Sequence, residues 1–207
     1  MAGASLASPN TSATGGYLGP VSAEPLDDLA LDSAIAGVIA GITGLAAALV
    51  IPRDQPSQPR IPDVTTNWVS VGVTVSTGDD TPSQIHHPDG DGYTILRAFY
   101  RLDVMAMFYG PKSDGYAKLL RDGLFIGQNR EAMRAQSLNF VSVDPLRRVP
   151  EIVATQTRRR TDLAFRLTQT VERKYQILNV LQADGTIRAD ASGKIELTPF
   201  LSPLPPA

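Results

Sequence analysis

Residues 94–109, TILRAFYRLDVMAMFY, decide the fold, and residues 161–177, TDLAFRLTQTVERKYQI, repeat their pattern. In the first run Ile95, Arg97, Phe99, Arg101, Asp103, Met105 and Met107 fall on one side of a two-residue period. Leu96, Ala98, Tyr100, Leu102, Val104, Ala106 and Phe108 fall on the other. That period belongs to an extended strand, whose successive side chains point to opposite faces. In the second run Leu163, Phe165, Leu167, Val171, Tyr175 and Ile177 share a face, and Asp162, Arg166, Thr168, Thr170, Glu172 and Lys174 share the other. Each run is roughly 16 residues against about 5–6 for an ordinary strand, and at about 3.3 Å per residue it spans roughly 50 Å. A domain of this size rarely needs such ribbons for its own core. They suit a subunit that offers strand edges to its neighbours, so the first expectation is an assembly protein and not a solitary enzyme.

The composition bounds the rest. A chain of 207 residues, 43% hydrophobic and 19% charged, can bury a core. A net charge of −2 gives no overall basic field to draw it onto nucleic acid. Cysteine is absent, which excludes disulfides, thiolate catalysis and cysteine-based zinc sites. The opening MAGASLASPNTSATGGYLGP has neither a basic nor an apolar signal region and reads as a flexible Ser/Gly/Ala/Pro arm.

Residues 33–52, SAIAGVIAGITGLAAALVIP, are uncharged and as long as a membrane span. Gly37, Gly41 and Gly44 have the small-residue spacing of packed membrane helices. Alanine, glycine, Ser33 and Thr43 keep the stretch only mildly hydrophobic, however, and Arg53 alone follows it. The expectation is a buried helix from about Leu26 to Thr43–Gly44, with Asp27, Asp28 and Asp32 complementing its N-terminal dipole. Leu45–Ile51 then turns into a strand that Pro52 stops.

Further along, PRDQPSQPRIPD (52–63) carries four prolines and reads as an extended surface connector. Trp68–Ser76 alternates as a strand with a valine face, Val69, Val71, Val73 and Val75. TGDDTPSQIHHPDGDG (77–92) reads as a polar loop, the long tip of a hairpin joining Trp68–Ser76 to the first ribbon. Gly110-Pro111 stops that ribbon. A helix follows over Gly115–Leu124 with Tyr116, Leu119, Leu120 and Gly123 on one face, then a short helix from Gln128 or Asn129 to Arg134 or Gln136. Leu138–Val143 and Val149–Thr157 read as strands, Asp144-Pro145 as a turn between them, Ala183–Thr186 and Ser192-Gly193 as tight turns, and PFLSPLPPA as a Pro-rich tail. The fold class is α+β: a small mixed or antiparallel sheet with long strands, helices on one side, and extended N- and C-terminal arms. The segments are residues 1–25 as arm, 26–182 as the α+β domain, and 183–207 as a hairpin and Pro-rich tail.

Three stretches then resemble the phage neck terminator family. VIPRDQPSQPRIPDVTTNWVSVGV is similar to that family's helix, strand, Gln/Pro-rich connector and Trp-bearing strand. RLDVMAMFYGPKSDGYAKLLRDGLFIGQNREAM is similar to its long strand, Tyr-Gly turn, helix and Asn-Arg segment, and RRRTDLAFRLTQTVERKY to its Arg-Arg/Asp-Leu strand. The likeness covers roughly residues 28–180. It implies a tail-terminator-like fold and a structural virion protein, a ring that is commonly a hexamer, joining the head connector to the tail. The implied partners are further copies of the chain, head connector or adaptor proteins, tail tube or sheath proteins and, non-specifically, packaged DNA. It implies assembly in the host cytoplasm, with no membrane partner and no cofactor. The alternative is a head-completion or adaptor protein of the same junction.

Two clusters carry candidate chemistry. Arg147, Arg148, Arg158, Arg159 and Arg160 form the strongest basic group. Arginine forks bind carboxylate or phosphate bidentately, so the group suits ion pairing between subunits, with Asp79, Asp80 or Glu172 as partners, or contact with DNA in a channel. Strong phosphate contacts would make a sliding channel adhesive, and the subunit interface is the expected role. Asp79, Asp80, His86, His87, Asp89 and Asp91 are the one group with metal-ligand chemistry. HPDGDG lacks the later acidic residue of a calcium loop, so a polar hairpin tip is expected, and a metal-dependent enzyme built on His86 and His87 is the remote alternative. Trp68 is expected in the sheet interior. No Ser-His-Asp order, Gly-rich phosphate loop or His-Glu metal helix appears, and no catalytic residue is named.

Overall fold

The computed structural model describes residues 10–57, 59–153, 156–180, 183–190 and 195–202. Its order is α1 (Asp28–Thr43), β1 (Val50–Pro52), β2 (Trp68–Gly78), β3 (Ser83–His87), β4 (Tyr93–Tyr109), α2 (Ser113–Gly123) and α3 (Gly127–Arg134). There follow β5 (Leu138–Val143), β6 (Arg147–Arg148), β7 (Glu151–Val153), β8 (Gln156–Arg158), β9 (Arg160–Tyr175), β10 (Ala183–Asp190) and β11 (Ile195–Ser202). The main sheet runs β1-β2-β4-β9-β5, with β3 on β4 and β6 on β9; β7–β8 and β10–β11 are separate two-stranded sheets. The fold is α+β, as the patterning predicts.

The chain divides into two compact units, one formed by Ala23–Ser83 with Leu96–Glu172, the other by Met1–Ser22, Gln84–Ile95 and Arg173–Ala207. In the first, the alternation of the ribbons decides what is inside. Leu102, Val104, Ala106 and Phe108 of β4, Leu163, Phe165 and Leu167 of β9, and Val69 and Val71 of β2 form one apolar face. Leu31, Ile35 and Ile39 of α1, Ala117 and Leu120 of α2 and Met133 of α3 close onto the same cluster, so the helices lie on one side of the sheet. Each large aliphatic or aromatic side chain taken out of water there contributes roughly 1.5–3 kcal/mol. The opposite face is laced with cross-strand ion pairs: Arg97 with Glu172 at 2.6 Å and Arg166 with Asp103 at 3.1 Å.

Helix α1 ends where expected, on Gly44 in the left-handed region with its N–H donated to the Ala40 carbonyl. No helix among the described residues is long and apolar enough to cross a membrane. The expected strand over Leu45–Ile51 shrinks to Val50–Pro52, parallel to Val69–Val71, after a 3-10 turn at Ala47–Leu49. Pro52 closes that edge strand from within it, a place where a missing donor is tolerated.

Six further expectations are corrected. The valine face of β2 breaks at a bulge between Val73 and Val75, leaving Val75 exposed, because the inserted residue reverses the alternation. The loop 77–92 contains strand β3. The single strand expected over Val149–Thr157 is instead the hairpin pair β7–β8. On α2 the buried positions are Ser113, Ala117 and Leu120, while Leu119 is exposed. Ala183–Thr186 lies inside β10, and Pro199–Ser202 inside β11, where both strands of a two-stranded sheet are edges and accept proline. Ser192-Gly193 and the tail beyond Ser202 lie outside the described residues.

The ribbons themselves are not the open edges. β4 is paired with β2 and β3 and neighbours β9, and β9 takes β5 and β6 on its other side. The outermost strands are β1 and β5. In the second unit the described part of the N-terminal arm fastens to its own chain: Val21 N donates to the Lys174 carbonyl at 2.7 Å and Ser12 N to that of Gln176 at 3.0 Å.

Candidate functional site at the arginine-lined end of the sheet

The last rungs of the β2–β4 ladder put Trp68 opposite Tyr109, beside Val69 opposite Phe108. Val69 and Phe108 enter the core, so Trp68 and Tyr109 project from the other face. Their rings stack with centroids 4.3 Å apart and planes within 13°. Gly110 follows at φ +103, a conformation that favours glycine. Its N–H donates to the Arg159 carbonyl at 3.1 Å, tying the end of β4 to the segment that opens β9.

The hairpin β7–β8 returns the chain over those rings. The Arg158 guanidinium lies 4.6 Å from the Tyr109 centroid and 5.7 Å from that of Trp68, a desolvated cation–π arrangement. Arg158 is buried, and its Nη2 donates to Glu151 Oε2 at 2.9 Å across the β7–β8 register. Arg160 grips Asp162 with both ends of its fork, Nε to Oδ1 at 2.7 Å and Nη2 to Oδ2 at 2.8 Å. That hydrogen bonding raises the Arg160 pKa and fixes it as a cation. Burial pushes the Tyr109 phenol up, an effect the two arginines partly offset. Trp68 Nε1 and Arg158 Nε are buried donors with no acceptor among the described residues.

Beside this cluster, at the start of α2, a surface cavity of about 400 Å³ is lined by Arg148, Arg159, Arg160, Asp114, Ser113 and Thr161. Asp114 takes Lys118 at 2.7 Å and Arg148 at 3.1 Å, and those hydrogen bonds hold its carboxyl below the usual range. The buried hydroxyls of Ser113 and Thr161 are 3.3 Å apart.

The five arginines thus divide. Arg158 and Arg160 serve the chain's own packing, and Arg148 is held in an exposed ion pair. Arg147 and Arg159 are exposed, with no side-chain partner among the described residues. The carboxylates engaged are Glu151, Asp162 and Asp114. Of those offered by the sequence, Glu172 is taken by Arg97, and Asp79 accepts from Phe99 N at 3.2 Å. The arrangement can hold carboxylate or phosphate groups at its rim; no nucleophile is paired with a base there.

The histidine loop is built by hydrogen bonds within the second unit. His86 Nδ1 lies 3.2 Å from Thr94 Oγ1, and its Nε2 lies 2.9 Å from Asn179 Oδ1. His87 stacks on Tyr93. Asn179 donates from Nδ2 to the Pro88 and Gly90 carbonyls. Among the described residues no group of three His, Asp or Glu side chains is gathered as a metal site. Sequence reasoning placed Trp68 in the sheet but missed its cap. The alternation of Arg158 and Arg160 beside an aromatic strand end was the available signal.

A family model described as phage neck terminator protein matches residues 29–190, well over half of the chain. No curated protein matches it.

Proposed function

We propose, for a chain that belongs to the phage neck terminator family, that it forms a closed ring between the head connector and the tail. Membership makes it a structural component of the phage head–tail junction, and so of the virion. The match over residues 29–190 carries the reading, because it spans nearly the whole sheet and all three helices. The ring, its sixfold symmetry and its assembly in the host cytoplasm are the finer proposal. Binding would be to connector or adaptor proteins on one face and tail tube or sheath proteins on the other.

At the arginine-lined end, Arg147, Arg148 and Arg159 are proposed to meet an acidic surface of a neighbouring junction component, while Arg158 and Arg160 shape the platform beneath. Two unpaired guanidiniums are a small footprint for DNA, since each neutralised phosphate adds only one increment of counterion release. Negative-stain images of the purified protein test the ring: annular particles with six subunits are expected. A twelvefold ring would favour the head-completion or adaptor alternative. A monomer at every concentration, together with its absence from virion necks, would overturn the proposal.

A further inference from the structure

We infer that two exposed patches at different places on the main sheet, an aromatic one beside β5 and one around Phe99 of β4, are the two halves of one self-contact, each occupied by a second copy of this chain. The inference rests on the ring reading and names the surfaces through which copies meet.

The first patch lies beside the β5 edge. Phe125 and Ile126, between α2 and α3, are 51% and 54% exposed. Phe125 packs edge-on against Phe140 of β5 at 5.2 Å. Arg130 sits over both rings, 5.7 Å from one and 5.0 Å from the other, and Arg121 is 6.0 Å from Phe125. Exposed Arg134 follows Arg130 one helical turn on. Asp122, paired with Arg121, and Glu131 are the acids of these two helices' adjoining turns.

The second patch lies on β4, a strand inside the sheet, at the level where its partner β2 ends. Phe99 projects from the face away from the core and is 47% exposed. Asp79 is fixed against it, its N–H donated to the Phe99 carbonyl at 3.0 Å and its carboxylate accepting Phe99 N. Asp80 is exposed beside it. Arg101, exposed two residues along the strand, has no side-chain partner among the described residues, and Arg97 on the same face is neutralised by Glu172, so Asp79 and Asp80 leave the patch with an excess of carboxylate.

An aromatic centre with an arginine rim has the composition of an interface core. Pairing the first patch with its own copy would set guanidinium against guanidinium, whereas pairing it with the second sets guanidinium against carboxylate. In the order β1-β2-β4-β9-β5 the first patch lies beside the edge strand β5 and the second on β4, two strands further in. Joining different patches is a heterologous contact, which repeats from copy to copy and makes a ring when the rotation closes.

The chain has no cysteine, so Phe99→Cys and Phe125→Cys introduce unique thiols at exposed positions. The full-length variants, each checked by thermal melt, are treated with a short bismaleimide separately and mixed, at concentrations where the wild type associates. A covalent dimer in the mixture and none in either variant alone is the expected result. A wild type that associates while the mixture gives no dimer, or while Phe125→Cys links to itself, overturns this pairing and leaves the ring standing. A wild type that never associates removes the ring reading, and this contact falls with it.

Discussion

Trp68 and Tyr109 face each other at the end of the β2–β4 ladder with stacked rings 4.3 Å apart, and the Arg158 guanidinium closes over both. A sheet face that would otherwise end in two exposed aromatics is thereby capped by a cation from a hairpin inserted just before β9. Trp68→Ala removes the stack, opens a cavity and leaves a buried guanidinium with one ring fewer beneath it. A loss of about 3–5 kcal/mol in unfolding free energy is expected from truncating a buried tryptophan. Trp68→Phe keeps an apolar ring and removes an indole N–H that has no acceptor among the described residues, so its cost should be well below half of that. Urea unfolding followed by far-UV circular dichroism decides between the two, since the single tryptophan is itself the site changed.

Two ion pairs of similar length should behave differently. Glu151 holds Arg158, whose side chain is 6% exposed, whereas Arg97 and Glu172 are 43% and 46% exposed. Glu151→Ala strands a desolvated charge and should cost about 2 kcal/mol. Glu172→Ala breaks a solvated pair and should cost less than about 1 kcal/mol. Equal destabilisation in denaturant titrations would mean that Arg158 is wet in solution.

The ribbons, the core face and the three helices were legible because burial on one face leaves a period in the sequence: the even positions of β4 from Leu102 to Phe108 are buried as the alternation requires. What was illegible depended on distant pairing. The bulge at Val73–Val75 moves a valine to the surface without altering the local pattern. Strand β3 is polar on every residue but Ile85, and its pairing with β4 is what makes it a strand. The arginine run looked uniform, yet alternation sends Arg158 and Arg160 inward and Arg159 out, and only the position of Tyr109 decides which side is inward. The notion that the ribbons' own edges were open failed for the same reason: length in one strand does not reveal how many partners cover it.

Glycine substitutions should split by site. A Cβ on Gly110, at φ +103, would strike the Thr66 carbonyl oxygen and lie 2.9 Å from Asn67 Cα, both backbone atoms. Gly110→Ala should therefore cost at least about 1–3 kcal/mol and loosen the bond to Arg159. Gly115, in the first turns of α2, has open space around its Cβ position. Gly115→Ala should stabilise by about 0.5–1 kcal/mol through helix propensity and a less flexible unfolded chain. Thermal melts of the two variants should move in opposite directions; a gain at Gly110 would contradict the left-handed turn.

Asp32 gives the protein a pH signature of its own. It lies half-buried on α1, its Oδ1 accepts Val73 N at 3.4 Å beside the β2 bulge, and burial pushes its pKa up, with Asp54 and Asp28 adding to the effect. A carboxyl whose folded pKa is raised holds its proton longer in the native state than in the unfolded one. Its unfavourable contribution is thus absent below the ordinary aspartate value of about 4, grows as pH rises toward the folded value, and is complete above it. Asp32→Asn keeps an oxygen for Val73 and removes the charge. The variant should match the wild type at low pH and be the more stable at neutral pH. Asp114 has the opposite sign: its folded pKa is lowered by Lys118 and Arg148, so its contribution is favourable at neutral pH and fades as pH falls through that lowered value. Asp114→Asn should be less stable than the wild type at neutral pH and should converge with it in acid. Denaturant midpoints for both variants, measured from acid to neutral pH, should give difference curves of opposite slope. A flat curve for Asp32→Asn would show that water reaches its carboxylate at the bulge.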